Sequence, residues 1–329
     1  MSVLHATESP AAGDVDLTAA RSGSIIASLD HLAVLQFGGE DAEAFLQGQL
    51  TCDVGRIGPR SSTYGAYCSP KGRMLASFLL WREEAGFSMA LSRDIAAAVQ
   101  KTISRFVLRA KVKIWDASGS LVLVGAAGPQ AESALRSLFP EPPGMPHEVS
   151  SRSGTGTLIR LKDGRFVLAS APASAFELRQ RLGGALQLTD ARAWRWLDIR
   201  NGLPWITAAT QDRLVPQMAN FELIGGVSFD KGCYTGQEVV ARTQHLGRGV
   251  KRRMFLANVA ATAAAGDNLY SEALGDQASG MVVNAEASPD GGYDMLAVVQ
   301  SSSREGSPVH FKSLDGPALR FLPLPYTVA

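Results

Sequence analysis

The chain has 329 residues, of which 46% are hydrophobic and 19% charged, and this composition excludes a globally disordered protein. Its 32 Lys and Arg residues and 31 Asp and Glu residues give a formal net charge of +1, which excludes a basic field over the whole protein for nucleic acid. No uncharged apolar stretch comes near the roughly 18 residues of a membrane-spanning helix. We therefore expect no contact with a membrane and no direct contact with nucleic acid.

The three cysteines, Cys52, Cys68 and Cys233, are widely spaced and odd in number, as is typical of a protein from a reducing compartment. Without a Cys-x-x-Cys pair or a Cys/His cluster, the sequence predicts no self-contained metal site. Cys52 follows a helix of core type and Cys68 ends a strand, so we expect both to be core packing. Residues 1–24 lack the pattern of a signal peptide, which predicts a flexible tail on a cytoplasmic protein.

Residues 25–247 predict one α+β body of two related strand–strand–helix halves, with a link rich in Pro and Gly near 141–156. Its expected strands are 31–37, 64–68, 74–81, 86–91, 111–115, 121–124, 157–161 and 166–168. Its expected helices are 41–49, 93–108, 130–138, 174–182 and 189–200. Residues 248–329 change to short strand-like runs with glycine turns at 253–259, 280–284 and 296–300, which predicts a small, barrel-like, all-β C-terminal domain.

The segment 231–238, Lys-Gly-Cys-Tyr-Thr-Gly-Gln-Glu, is the most informative part of the sequence. Thr235 and Glu238 have the spacing of a helix capping box, which predicts a helix from Gly236 to about residue 243. Cys233 then lies just before a helix N-terminus.

This position favours the thiolate form of Cys233, since the helix dipole and the ammonium of Lys231 both stabilise a negative charge there. Gly232 and Gly236 leave the backbone open to a ligand or to a positive φ. A nucleophilic, a metal-ligating and a redox-active thiol would each use such surroundings. The alternative is that Cys233 is a small buried hydrophobic side chain, as free cysteines usually are.

The segment 231–238 resembles the signature of the YgfZ family of folate-binding proteins, relatives of the glycine-cleavage T-protein that assist iron–sulfur cluster assembly or repair. The resemblance extends over about 29–326. Further matches lie in the expected order at 41–43, 45–54, 71–73, 194, 200–204, 216–217, 225–229 and 242.

The resemblance implies a T-protein-like folate-binding body of strand–helix subdomains around a central channel, where the pterin and the cysteine-bearing loop meet. It makes Cys233 the functional thiol, surrounded by Lys231, Tyr234, Gln237 and Glu238.

The implied cofactor is tetrahydrofolate or a derivative. Trp194 stands at a folate-site tryptophan of the family, and Gly232 and Gly236 would let the cofactor approach the backbone. Arg200 either pairs with an anionic group such as a glutamyl carboxylate or complements a helix end. The family's other folate-site tryptophan has no counterpart near Leu32.

The implied partners are iron–sulfur assembly proteins or client [4Fe–4S] enzymes, with a link to tRNA modification. One thiol cannot hold a cluster alone, so a transient cluster would share ligands with a partner, a second subunit or a small thiol. Thiol exchange or repair chemistry is a second use of Cys233. Such an assembly factor need not turn over a substrate.

The main alternative is a folate-dependent one-carbon transferase that moves an aminomethyl or methyl group. The T-protein has acidic residues after a Gly-Gly turn, whereas the matching residues 71–76 contain no carboxylate. The loss of a positioned acid or base costs roughly 10²–10⁴-fold in rate. A folate-sensing module and an inactive T-protein-like scaffold are further alternatives. The basic run 242–253 predicts a solvated face or a contact with polyglutamate, phosphate or an acidic protein.

Overall fold

The structure, a computed structural model, describes residues 17–245 and 250–328. Residues 1–16 of the predicted tail, the predicted domain boundary at 247/248 and Arg248 of the basic run lie outside them. The rest of the predicted tail is packed, because Leu17 is buried in the core and residues 18–22 form a helix against the body. No helix in the described ranges is long and apolar enough to cross a membrane.

The helices, in chain order, are α1 (Thr18–Ser22), α2 (Ala42–Gln47), α3 (Arg93–Ser104), α4 (Ala131–Leu135), α5 (Pro172–Leu182), α6 (Ala191–Arg200), α7 (Gln237–His245) and α8 (Ser301–Gly306). The strands of the body are β1 (Ile25–Ser28), β2 (Leu32–Gly38), β3 (Ser62–Cys68), β4 (Met74–Glu83), β5 (Gly86–Ser92), β6 (Lys113–Asp116), β7 (Val122–Ala127), β8 (Val149–Arg152), β9 (Gly156–Arg160), β10 (Phe166–Ser170) and β11 (Gln187–Thr189). The C-terminal strands are β12 (Arg252–Val259), β13 (Asn268–Ser271), β14 (Gly280–Ala287), β15 (Tyr293–Gln300), β16 (Val309–Phe311) and β17 (Arg320–Leu322).

Two sheets form the body. The first is antiparallel, in the order β3-β4-β5-β2-β6, and α3 covers it with Ile95, Val99 and Ile103, which recur at helical spacing. The second has the order β11-β1-β7-β10-β9-β8 and is antiparallel except for the β1–β11 pair. The predicted mixture of strands and helices is confirmed.

The division into two halves differs from the sequence prediction. β1 precedes the first sheet in the chain but pairs with β7 and β11 of the second. The predicted link at 141–156 contains β8, the edge strand of that second sheet. Pairing between strands so far apart in sequence leaves no trace in local hydrophobic patterns.

The C-terminal strands form a third, antiparallel sheet in the order β16-β13-β14-β15-β12-β17. A β-bulge between Val282 and Asn284 bends β14, as a curled half-barrel requires. The predicted barrel-like sheet of this region is confirmed, but the region also contains helix α8, and a separate cluster of buried residues fills one face of the sheet.

Helix α6 lies between the second and third sheets and begins after Asp190, whose carboxylate accepts a hydrogen bond from the backbone N–H of Arg192. Helix α5 begins two residues earlier than predicted, with Pro172 in its first turn, and the Ser174 hydroxyl donates to the carbonyl of Gly154.

Candidate functional site

Cys233 is exposed, whereas Cys52 and Cys68 are 2% and 1% exposed. The reading of Cys233 as a buried hydrophobic side chain is therefore wrong, and core packing of the other two is confirmed. Burial raises the pKa of both Cys52 and Cys68 to about 12. Of the three cysteines, all of which lie in the described ranges, Cys233 is the one whose thiol is accessible.

We call residues 230–236, which carry Cys233 into α7, the Cys loop. Its Lys231 side chain is turned toward the end of α2: Nζ donates to the carbonyls of Gln47, Leu50 and Cys52 at 2.7, 2.6 and 2.8 Å. These three bonds use all three protons of the ammonium group. Lys231 thus pins the Cys loop to the body, whereas its place two residues before Cys233 leads us to expect that its charge stabilises the thiolate.

Burial lowers the pKa of Lys231 to about 8, against the opposing influence of Cys52 and Asp53. Tyr234 is buried beside it, and its ring centroid lies 5.2 Å from the Lys231 ammonium, within range of a cation–π contact. Burial also raises the pKa of the Tyr234 phenol above its ordinary value. Both side chains serve as anchors on either side of the exposed thiol.

The second attachment of the Cys loop is a contact between glycines. Gly236 has φ +84° and packs on the turn 69–73, where a Cβ on it would lie 2.5 Å from the Ser69 carbonyl oxygen. Gly232 has nothing within 4 Å of an equivalent Cβ. Only Gly236 is therefore required by its surroundings.

Helix α7 starts at Gln237, one residue later than predicted, with the Gln237 N–H bonded to the carbonyl of Tyr234 at 3.1 Å. Glu238 is exposed in its first turn, where a negative charge complements the helix dipole. Five predicted site residues therefore lie together in the Cys loop and the first turn of α7. They are Lys231, Cys233, Tyr234, Gln237 and Glu238.

Segments that are distant in sequence converge on this loop. The end of α2 receives Lys231, the turn 69–73 receives Gly236, and Thr51 donates from its hydroxyl to the carbonyl of Gly226 at 2.6 Å. The segments 45–54, 71–73 and 225–229 all belong to the matches on which the family resemblance rests. Their common location makes the Cys loop one end of the candidate site.

A cavity of about 450 Å³ lies between α6, the start of α3 and strand β14 of the third sheet. Its lining is mainly apolar and includes Ile199, Leu203 and Trp205. A volume of this size accommodates a drug-sized ligand. No residue of the Cys loop is among its lining residues.

His31 lines this cavity, and both of its ring nitrogens are buried without a hydrogen-bond partner among the described residues. Burial, reinforced by Arg195 and Arg93, lowers the pKa of His31 to about 3. The imidazole is therefore neutral at physiological pH and keeps one donor and one acceptor free. Such a buried group needs a partner, since an unsatisfied polar atom costs free energy.

The cavity also holds a carboxylate that sequence reasoning missed. Asp198 is 2% exposed, and its two oxygens accept from the guanidinium of Arg165 at 2.7 Å and the indole N–H of Trp205 at 2.8 Å. The sequence signal that could have identified Asp198 is its spacing from Arg195, because residues three apart on a helix share one face.

The two predicted folate-site side chains on α6 lie elsewhere. Trp194 is 1% exposed, with the Arg165 guanidinium 4.6 Å from its ring and Gly125 packed against it. Arg200 lies 3.7 Å from Asp294 of the third sheet, at the end of the helix. The structure thus places neither with the Cys loop nor among the residues that line the cavity.

Strand β4 connects the two parts of the site. It leaves the turn 69–73 at Met74, and three residues later the Ser77 hydroxyl accepts the N–H of Ile206, next to the cavity residue Thr207. Three strand residues span about 10 Å. Within the described ranges no three His, Cys, Asp or Glu side chains converge in a way that could hold a metal ion.

Comparison with known proteins agrees with this architecture. The GCVT N-terminal domain family matches residues 9–147. The crystal structure of glycine cleavage system aminomethyltransferase T from Bartonella henselae matches 94% of this chain and 88% of its own, with a TM-score of 0.74 at 18% identity. The predicted T-protein-like fold is therefore confirmed.

Two sequence relatives are each called "tRNA-modifying protein YgfZ". The protein of Sodalis glossinidius (strain morsitans) is 34% identical over 305 residues, which cover 92% of both chains. That of Enterobacter sp. (strain 638) is 33% identical over 314 residues, covering 95% of this chain and 96% of the relative. Similarity at this level over almost the whole length shows that the chain belongs to the YgfZ family.

Proposed function

We propose that this chain is a tetrahydrofolate-binding accessory protein for the assembly or repair of [4Fe–4S] clusters and that it acts through Cys233. The observation that carries the proposal is the exposed thiol on a loop that Lys231 and Gly236 fasten to two distant segments of the body. A thiol that is exposed and yet held in place suits transfer to or from a partner.

The cavity of about 450 Å³ that His31 lines, here called the central cavity, supports the folate part of the proposal. Its volume of about 450 Å³ and its apolar walls suit a pterin ring, and His31 offers one donor and one acceptor to the polar edge of such a ring. Reduced folate, when bound, carries one-carbon units and is itself oxidisable. Trp205 and Ile199 would confine it, while the Arg195 guanidinium at the cavity wall is paired with Glu286 at 2.7 Å.

A single thiol leaves the other cluster ligands to a partner protein, a second subunit or a small thiol. Client [4Fe–4S] enzymes are the corresponding partners. A client that modifies tRNA would account for the name that the two relatives share, without contact between this chain and tRNA.

The one-carbon transferase alternative needs a group that moves a proton at the bound folate. Residues 71–76 contain no carboxylate. Two carboxylates line the cavity. Asp198 accepts from Arg165 and Trp205, and a base held in two hydrogen bonds, one to a guanidinium, is a weak acceptor of a further proton. Asp94 accepts one backbone hydrogen bond, from the N–H of Ala208 at 2.9 Å, and is the carboxylate that a transferase would have to use. The absence of a carboxylate at 71–76 and the bonds of Asp198 favour an accessory role over group transfer.

Titration of the purified chain with tetrahydrofolate tests the cavity assignment. We expect binding by the wild type, weaker binding by His31→Leu and unchanged binding by Cys233→Ala. Absence of binding by the wild type would remove folate from the proposal. Turnover of an aminomethyl or methyl donor with folate would favour the transferase instead.

A further inference from the structure

A second cleft, of about 230 Å³, lies where the turn 69–73 and the chain before Leu214 meet strands β12, β14 and β15 of the third sheet. It shares no lining residue with the central cavity. Three arginines from three separate segments line it, namely Arg73, Arg213 and Arg252. The fold thus concentrates positive charge at this cleft.

The charge of these arginines is not neutralised by the body. None of the three forms an ion pair with a residue in the described ranges. The next residue in the chain, Arg253, shows the opposite arrangement, since it is largely buried and paired with Glu222. Among the described residues that line the cleft, Asp212 is the single carboxylate, and one of its oxygens accepts from the Ser69 hydroxyl at 2.9 Å.

Each of the three guanidinium groups contacts a main-chain carbonyl. Arg73 donates to the carbonyl of Arg213 at 2.9 Å, and Arg213 and Arg252 make longer contacts of 3.5 Å with the carbonyls of Ala209 and Ala278. These bonds orient the side chains without cancelling their charge. Repulsion among fixed like charges disfavours the empty cluster, and a bound anion relieves that repulsion.

We propose that this cleft binds a small, multiply charged anion, namely a phosphate or diphosphate group, free or as part of a small ester. Guanidinium groups match phosphate oxygens in geometry and charge. A volume of about 230 Å³ admits such a group but not a long polymer. This proposal does not depend on the binding of folate or of an iron–sulfur cluster. The cleft is connected to the Cys loop only through the turn 69–73, which contacts both.

Asp212 provides a variant with the opposite expected effect. Its φ is +58°, a conformation that Asn tolerates well, and an Asn oxygen can still accept from Ser69. Asp212→Asn therefore removes one negative charge from the cleft with little change in the backbone. We expect this variant to bind the anion several-fold more tightly, because a like charge is removed.

The experiment is calorimetric titration of the full chain with pyrophosphate and with inorganic phosphate, at an ionic strength held constant with NaCl. Arg73→Gln and Arg252→Gln should each weaken binding about ten-fold, since each removes a charge-assisted hydrogen-bond donor. Arg105→Gln is the matched control, because Arg105 is also exposed but does not line the cleft. Cys233→Ala should bind like the wild type, which separates this site from the proposed thiol function.

Lack of binding by the folded wild type at millimolar anion would overturn the proposal. So would equal losses in Arg105→Gln and Arg252→Gln, since they would show nonspecific attraction. Binding of an RNA oligonucleotide that pyrophosphate does not displace would assign the arginines to a polymer instead. Arg252→Gln decides the outcome if Arg73→Gln fails to fold, because within the described ranges the Arg252 guanidinium makes a single long hydrogen bond, of 3.5 Å, to the carbonyl of Ala278.

Discussion

Gly72 and Gly236 lie against each other where the turn 69–73 meets the Cys loop, and both have positive φ, +69° and +84°. A Cβ on Gly236 would lie 2.9 Å from the Cα of Gly72, and a Cβ on Gly72 would lie 2.8 Å from the Cβ of Val239. Neither position has room for a side chain. The place of Cys233 on the surface therefore depends on a residue far upstream in the sequence.

Gly236→Ala should destabilise the Cys loop. The left-handed backbone alone costs an L-residue about 1–2 kcal/mol, and the new methyl group would collide with the Ser69 carbonyl. We expect a lower free energy of unfolding, or a locally disordered loop with faster alkylation of Cys233. Gly232→Ala is the control, because the space around its Cβ is open. Equal effects of the two variants would contradict the role given to the glycine contact.

Lys231→Met should remove the other attachment of the Cys loop, the one to the carbonyls at and after the end of α2. The substitution leaves the carbonyls of Gln47, Leu50 and Cys52 without their donor, which costs about 1–3 kcal/mol for a buried polar group. Denaturation in urea measures this loss. Unchanged stability would mean that water replaces the ammonium without cost.

The pH dependence of Lys231 supplies a separate test. Its pKa is about 8 in the folded chain and 10.5 ordinarily, so between these values only the unfolded state binds the proton. Stability contributed by this group therefore rises as the pH increases from about 8 to about 10.5. The wild type should gain stability relative to Lys231→Met across that window. A constant difference would show that the ammonium is not held out of water.

His31 predicts a dependence at acidic pH. With a pKa of about 3 in the folded chain against 6.5 ordinarily, its proton binds only to the unfolded state between these values. The folded state therefore loses stability as the pH falls through that window. His31→Phe removes the titrating group, so its unfolding free energy should fall less than that of the wild type between pH 7 and 4.5. Parallel curves would place His31 in contact with water.

Asp198→Asn should lower the free energy of unfolding. Its partner Arg165 is 5% exposed in the side chain, and removal of one member of such a buried pair costs about 3–5 kcal/mol. Urea denaturation measures the loss. If the variant folds as stably as the wild type, the Asp198 carboxylate is not structural and becomes a candidate for proton transfer.

The sequence predicted those parts of the molecule that depend on neighbours in the chain. The turn between β3 and β4, the helix after the Cys loop and the strands of the C-terminal region follow from local spacing. Cys233 was identified as a candidate because of residues within five positions of it. The pairing of β1 with β7 was not predictable, because it depends on chain folding between distant strands.

The direction and the surroundings of a side chain also depend on residues that are distant in sequence. Lys231 was expected to stabilise the thiolate, since sequence shows its nearness to Cys233 but not its direction. Nothing in the sequence shows that the ring of His31 is enclosed by residues of α3 and α6. The family resemblance implies a ligand contact for Trp194, which packs on Gly125 and does not line the cavity.

The most direct test of the thiol function uses cells that lack this gene. Activities of several [4Fe–4S] enzymes are measured after return of the wild type, Cys233→Ala or Cys52→Ala. The account predicts rescue by the wild type and by Cys52→Ala, whose thiol is buried, but not by Cys233→Ala. Equal rescue by Cys233→Ala, or full enzyme activity in the cells without the gene, would contradict a cluster function that depends on Cys233.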